Sequence, residues 1–424
     1  MKIAIVGTGI AGNVAAYHLC KEHEITVFEA NDYIGGHTHT HDVAWQDQHY
    51  AVDTGFIVFN YKTYPHFTQL LKELDVAVQP SAMSFSVKCE KTGLEYNGTT
   101  LNTLFAQRRN ALRPSFYRML KDILRFNREA PALLASPAQD ISLGEFLYRG
   151  GYRRQFIEQY LIPMGAAIWS ADPATMIRFP AQFFIRFFHN HGMLSVDDRP
   201  QWYVIQGGSQ AYVRKLIAPF ADRIRTRAAV ESVTRHPGHV SVKVKGAEPE
   251  RFDAVFIAAH SDEALRMLSD ASIDERQILG AIPYQENEAV LHTDHKVLPR
   301  RRLAWAAWNY HILPQQQDRV ALTYDMNILQ SIQAPVQFCV TLNNTRAIDP
   351  DKIIKRLTYH HPVFTPKGVA AQARQGDING VSRTYFCGAY WRFGFHEDGV
   401  VSALKALQHF KEQQHAQLSI RRAS

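Results

Sequence analysis

The first thirty residues constrain this chain more than any other stretch. Lys2–Val6 (KIAIV) is a short apolar run of the kind found in a buried parallel strand. Gly7-Thr8-Gly9-Ile10-Ala11-Gly12 follows at once and fits G-x-G-x-x-G. An Ala-rich stretch (13–21) has apolar residues at helical spacing, and a second β-rich run, Ile25–Phe28, ends on Glu29. Each part has a task in a strand–turn–helix–strand unit. Gly7 permits the tight turn, Gly9 lets backbone approach a pyrophosphate, and Gly12 lets the helix pack close to the strand. The helix N-terminus, at Ile10 and Ala11, offers unpaired N–H groups and a partial positive charge to the phosphates. Glu29 lies 17 residues past Gly12, near the spacing of about 20 for the acid that holds a ribose hydroxyl. A carboxylate there repels a 2′-phosphate, which disfavours NADP. The expectation is an α/β dinucleotide-binding fold.

A length of 424 residues predicts two or three domains, and 46% hydrophobic with 21% charged residues is an ordinary globular composition. No apolar run reaches the ~18 residues that span a bilayer. Glycines within the first apolar stretch make it a strand rather than a secretory signal. A cytoplasmic protein is expected, with peripheral contact to the inner membrane as a variant. The four cysteines are scattered without C-x-x-C, which argues against disulfide and zinc frameworks. The net charge of +7 suits anionic surfaces or acidic substrates, but no nucleic-acid module is present, so no nucleic-acid partner is expected.

Beyond Glu29-Ala30, a Gly35-Gly36 pair suggests a second place where backbone passes close to a cofactor. Tyr50–Ile57 then reads as a strand entering a turn at Asp53-Thr54-Gly55-Phe56. Glu-Ala, then Gly-Gly-His-x-x-T, then Asp-x-Gly resembles the amine-oxidase and phytoene-desaturase superfamily of FAD enzymes. The resemblance implies FAD as cofactor, with the first glycine turn and Glu29 on its ADP part. It also places the Gly35-Gly36 and Asp53–Phe56 stretches beside the flavin. Most members have Arg where this chain has His37. The alternation His37-Thr38-His39-Thr40-His41 could gather three imidazoles on one strand face as metal ligands. The glycine context already explains the segment as a flavin-proximal loop, and no metal is predicted.

The resemblance extends over nearly the whole chain. It implies a Rossmann-like FAD-binding domain with an inserted α+β substrate domain, the two-domain architecture of amine oxidases. The FAD domain is expected from 1–75, 200–265 and 376–424, and the substrate domain from 76–199 and 266–375. Residues 60–200 read as mostly helical. Residues 101–134 are basic, with Pro114 starting a helix, and can be read as a solvated face or as a membrane-surface segment. Five phenylalanines between Phe179 and Phe188 read equally as core or as the lining of an apolar channel. Val230 would meet the adenine through its backbone. Gly388, Asp398, Gly399 and Val400 belong to the closing turn and helix, whose N-terminus the superfamily points at the flavin pyrimidine. There it stabilises the negative charge of reduction.

The strings L-H-T-D, A-W-A-A-W-N-Y, H-P-V-F-T and G-F-H-E-D-G-V resemble one bacterial subgroup of predicted NAD/FAD-binding oxidoreductases. Its members occur beside cyclopropane-fatty-acid-synthase-like methyltransferases, which implies an acyl-lipid substrate and such a methyltransferase as partner. Two departures argue against a simple amine oxidase. The catalytic Lys of those enzymes matches His292 here, and an aromatic-cage Tyr matches Phe395, a weaker partner for a cation. His292 is the leading candidate base, since a neutral imidazole titrating near ~6.5 accepts a proton. The competing reading is a structural histidine in the sheet. Tyr310 is a second catalytic candidate, and Trp308, Trp391 and Phe395 are candidate pocket walls. The function expected is hydride transfer from an apolar, fatty-acyl substrate to flavin, forming a double bond. The alternatives are an amine oxidase producing hydrogen peroxide, and a non-redox flavin-binding isomerase or assembly factor.

Overall fold

Five strands form a parallel sheet in the order Ile224–Arg225, Glu24–Phe28, Lys2–Val6, Ala254–Ile257, Thr384–Phe386. The first strand lies at the centre, and its neighbours come from opposite ends of the order. Ligands of open α/β sheets bind at such a switch point, outside the carboxyl ends of the strands. The computed structural model describes residues 1–135, 141–195, 199–315 and 318–423. Ile3 and Ile5 are buried under helices on one face of the sheet, and Val6 on the other face packs with Val233, Val240, Val242 and Phe252. The first helix, Ile10–Leu19, packs against the last, His396–Ala423. An antiparallel meander (Val230–His236, His239–Val244, Glu250–Phe252) flanks the sheet.

A second, seven-stranded sheet runs in the order Ile353–Pro362, Tyr284–His292, Cys339–Leu342, Leu322–Asp325, Trp308–Ile312, Phe85–Cys89, Leu94–Asn97. All neighbours are antiparallel except Trp308–Ile312 with Phe85–Cys89. Residues 60–200, expected to be mostly helical, therefore also add two strands to this sheet, after helix Pro65–Glu73 and strand Val78–Ser81. Alternation divides its faces. Leu291, Val340, Leu322, Tyr310 and Val87 join the largest hydrophobic core, together with the helices between residues 114 and 190. On the opposite face His292, Thr341, Thr323 and His311 form a buried hydrogen-bonded row with steps of 2.7, 2.8 and 3.0 Å. Among the described residues no helix is long and apolar enough to cross a membrane.

Candidate active site

Two helix N-termini converge at the carboxyl end of the central strand. Gly7 sits at φ +98°, and a Cβ there would lie 2.6 Å from the Ala258 carbonyl oxygen. At Gly12 a Cβ would lie 2.0 Å from the oxygen of Gly7, so both glycines are required by the turn itself. Gly9 differs: a Cβ there meets nothing within 4 Å. Gly9 is also the N-cap of Ile10–Leu19, with no side chain capping the helix. Its N–H groups and dipole therefore face open space. The last helix starts beside it, since a Cβ at Gly399 would lie 2.6 Å from the Ile10 side chain. Val400 packs in the same core as Ile10 and Ala11. Gly388 precedes this helix, and its N–H donates to Ser402 at 2.8 Å.

The remaining predicted cofactor segments close around this point. Gly36, at φ +60°, places its missing Cβ 3.1 Å from the Cα of Gly9. Gly55 is pressed on the His37 carbonyl, which also accepts the Phe56 N–H at 2.7 Å. Glu29 is buried at the end of its strand. It accepts from the Thr8 N–H and hydroxyl on one oxygen and from the Asn31 backbone (2.9 Å) and side chain (3.0 Å) on the other. The chain from Arg225 runs along it: Ala228 N–H donates to the Glu29 carbonyl at 2.8 Å, which brings the exposed Ala30 and the backbone leading to Val230 to the same edge.

Asp53 performs a different task from the one its motif implied. Its carboxylate is fully buried and receives the Ser209 N–H (2.9 and 3.0 Å), the Ser209 hydroxyl (2.7 Å), the Thr40 hydroxyl (2.5 Å) and the Gln330 amide (2.8 Å). It pins three distant segments under the cradle rather than reaching into it. Its neighbour Thr54 bonds the Tyr359 hydroxyl at 2.7 Å and thereby fastens the turn to the second sheet. A second latch joins Thr38, Tyr212 and His396 through contacts of 2.7, 3.0 and 2.9 Å, with Phe56 stacked on His396 at 3.5 Å. Thr8, Asn31, Ser209, Tyr212, Gln330 and His396 were not singled out in the sequence. Thr8, as the x of the first G-x-G, and His396, within G-F-H-E-D-G-V, lay in recognised strings without being given a role.

The three alternating histidines do not converge. His39 and His41 lie side by side at 4.1 Å, with His39 stacked on Tyr33, whereas His37 turns toward His361 (5.2 Å) and His260 (6.3 Å). Burial pushes the His37 imidazole down to about 4, helped by the two neighbouring histidines His260 and His360. Its Nε2 is a buried polar atom without a hydrogen-bond partner among the described residues, and His37 directly follows Gly36, which meets Gly9. An uncapped helix N-terminus facing open space suits a diphosphate. The residues present fit FAD: Gly9, Ile10 and Ala11 would hold its phosphates, and Glu29 would meet its ribose by sharing oxygens that Thr8 and Asn31 already occupy.

Next to the start of the last helix a cleft of about 680 Å³ opens to the surface. Phe393, Phe395, Leu194 and Pro131 form its apolar side, and Lys62, His66, His189 and Arg392 its basic side. Behind it the phenylalanine run is packed core: Phe187 stacks on Phe395 at 5.0 Å, and Phe183 lies 4.8 Å from Phe393. Two carboxylates line the cleft. Glu397 accepts the N–H groups of His66 (3.1 Å) and Phe67 (2.9 Å) at the start of helix Pro65–Glu73. Asp398 accepts the Phe395 N–H at 2.9 Å, lies 3.6 Å from Arg392, and is pushed up to about 7 by burial.

Of the substrate-side residues predicted from sequence, Phe395 lines this cleft, and the others are corrected. His292 has both ring nitrogens engaged, Nε2 with Thr341 at 2.7 Å and Nδ1 accepting the Asp294 N–H at 3.0 Å. It pairs with Ile353, whereas Tyr359, beside His37, pairs with Asn287. Five residues of strand therefore separate His292 from the cradle region, roughly 17 Å. That is the structural histidine, not a base beside flavin. Tyr310 and Trp308 point into the helix-covered core, Trp308 packing edge-on to Tyr324 at 5.3 Å. Trp391 is buried in the core behind the parallel sheet, 5.0 Å from Tyr390.

Residues 10–325 match the sequence profile of the flavin containing amine oxidoreductases. The chain belongs to this family. Its cofactor is accordingly FAD. A Mycobacterium tuberculosis protein assigned as a flavin-containing monoamine oxidase, AofH, is 27% identical over 250 residues, 57% of this chain and 53% of that protein. The chain thus spans about half the length of the curated relatives it matches. Among solved structures, cyclohexylamine oxidase from Brevibacterium oxydans has a TM-score of 0.71 at 16% identity, covering 97% of this chain and 99% of that one. A fatty acid isomerase from P. acnes has a TM-score of 0.65 at 15% identity, covering 96% and 98%. At these identities the likeness shows a shared fold, the two-domain architecture expected from the sequence.

Proposed function

We propose that the protein oxidises an apolar acyl chain carrying an anionic head, using FAD as the two-electron acceptor. The acyl chain would lose a hydride to the cofactor and a proton from the adjacent carbon, gaining a double bond. The electrons would then pass to oxygen or a quinone-like acceptor. The observation that carries this reading is the charge of the cleft. Both of its carboxylates are engaged, Glu397 by two N–H groups and Asp398 by Phe395 and Arg392. An alkylammonium would have to compete with those partners for its counter-charge. Lys62 is exposed, with no acidic partner among the described residues, and lines the same cleft as Phe393 and Phe395. A carboxylate or phosphate head with an apolar tail suits that arrangement. Asp398, titrating near neutrality in the wall, is the group best suited to take the proton.

Amine oxidation with release of hydrogen peroxide is the second reading. It is supported by the family match and by the likeness to cyclohexylamine oxidase. The fatty acid isomerase is named for an acyl substrate on the same fold, which supports the first reading and keeps a non-redox variant in view. Lys62→Glu separates the two substrate classes. The acyl reading expects at least a tenfold rise in the fatty-acid concentration that half-reduces the flavin, roughly the loss of one exposed charge-assisted contact (~1.4 kcal/mol). An unchanged fatty-acid response, with an improved amine response, would favour the amine reading.

A further inference from the structure

Between Glu95 and Asp122 the chain has no acidic residue and five cations: Arg108, Arg109, Arg113, Arg118 and Lys121. These residues fold as a short helix (Leu101–Leu104), a tight turn (Arg108–Leu112) and the helix Pro114–Glu129, outside the edge strand Leu94–Asn97. Phe116, Met119 and Phe126 fix the inner face of the long helix in the core. Its outer face carries Tyr117, Arg118, Lys121, Leu124 and Arg128.

A second basic segment reaches the same edge from a distant part of the chain. Arg300 and Arg301 donate their backbone N–H groups to the Glu95 carboxylate at 2.9 and 3.0 Å, which turns that acid inward and leaves it buried. Asn97 donates to the Trp305 carbonyl at 2.8 Å, and Arg302 lies over the Trp305 ring. Arg300, Arg301 and Arg302 are exposed beside Leu101–Leu104. Among the described residues none of these cations, Arg128 apart, has a carboxylate within ion-pair distance. Large apolar side chains stand among them. Leu101 is 76% exposed, Leu112 87%, Leu124 58%, Tyr117 44% and Leu303 37%. A shallow groove of about 410 Å³ runs between Leu112, Tyr117, Arg118 and Lys121.

We propose that this face docks on an anionic phospholipid bilayer, with the arginines and lysine at the headgroups and Leu101, Leu112, Tyr117 and Leu303 entering the interface. A merely solvated face would intersperse acids with its cations and would not set leucines at its crests. A nucleic-acid surface would use the same charge, but gains nothing from exposed leucines. Cations surrounding aliphatic and tyrosine side chains are the composition of an interfacial membrane surface. The long helix extends ~24 Å from this face and ends at the cleft, where Asn127 and Pro131 are lining residues. The docking is independent of the substrate reading, since the same face would hold the enzyme on a membrane whichever compound it oxidises.

Sedimentation of the FAD-loaded protein with vesicles tests the proposal. The expected result is at least tenfold greater partitioning onto phosphatidylglycerol-containing vesicles than onto pure phosphatidylcholine, abolished by high salt. R118E/K121E and, separately, L112S are each expected to lower binding tenfold or more with the flavin spectrum unchanged, which controls for folding. Tyr117→Trp supplies a direct probe: its emission should shift to the blue on anionic vesicles. Equal binding to both vesicle types, or no shift, overturns docking through this face. Vesicle binding that survives L112S overturns insertion, and capture by a DNA duplex without vesicle binding reassigns the face to nucleic acid.

Discussion

Gly9→Glu yields a folded protein that does not retain FAD. The space beside Gly9 is open, with nothing within 4 Å of a Cβ, so the longer side chain strains no neighbour in the protein. That space is where the phosphates would approach the N–H groups of Ile10 and Ala11, and a carboxylate there would repel them as well as block them. Loss of two or three charge-assisted hydrogen bonds costs about 4–6 kcal/mol, weakening FAD binding by roughly a thousandfold or more. The purified variant should be colourless, with the melting temperature of wild-type apoprotein. Gly12→Ala behaves in the opposite sense, because its Cβ would collide with the Gly7 carbonyl at 2.0 Å and the turn itself must give way. Yellow Gly9→Glu protein would show that the cofactor does not lie on this turn.

The second large effect is expected at Asp53. Asp53→Ala strands the Ser209 N–H and the Gln330 amide as buried donors and releases the Thr40 and Ser209 hydroxyls. Removing one side of a buried charged network costs about 3–5 kcal/mol. The hairpin Thr40–Asp53, the start of helix Gln210–Ile217 and the segment after helix Met326–Leu329 are joined by this carboxylate, with the Asp53 N–H on the Gln330 amide oxygen and the Gln210 N–H on the Thr40 hydroxyl, both at 2.9 Å, beside it. A fall in the denaturant midpoint matching that cost, with the slope unchanged, is the expected measurement. A loss of FAD without a loss of stability would return Asp53 to the cofactor-contacting role its motif suggested.

These two residues show what could be read from the chain and what could not. The cradle was legible because it is local: Gly7 to Glu29 is one strand–turn–helix–strand unit, and each glycine's reason is met within a few residues or by one neighbouring strand. The Gly35-Gly36 loop and the closing helix were legible through the family resemblance instead, since Gly36 meets Gly9 and Gly399 meets Ile10 across 27 and 389 residues. The role of Asp53 was not, because Ser209 and Gln330 lie 156 and 277 residues away. His292 illustrates a second limit. Alternate residues of a strand face opposite ways, so its assignment depended on register, and the strand turns Leu291, not His292, toward the helices. Trp391 and Phe395 illustrate a third. They are four residues apart, yet the chain reverses through Arg392 and through Gly394 at φ +93°, sending one side chain into the core and the other to the cleft. The aromatic residues were recognisable as important, but the backbone turn between them decides which one meets a substrate. The acid-free stretch after Glu95 was visible in sequence. Its partner, Arg300–Arg302, was brought beside it only by the edge of the second sheet.

The most direct measurement is an anaerobic absorbance titration of the FAD-loaded protein with a long-chain fatty acid and with the alkylamine of equal chain length. The account predicts that the flavin band near ~450 nm bleaches with the fatty acid and not with the amine. Bleaching by the amine alone would contradict it, and would mean that the basic side of the cleft does not select the substrate.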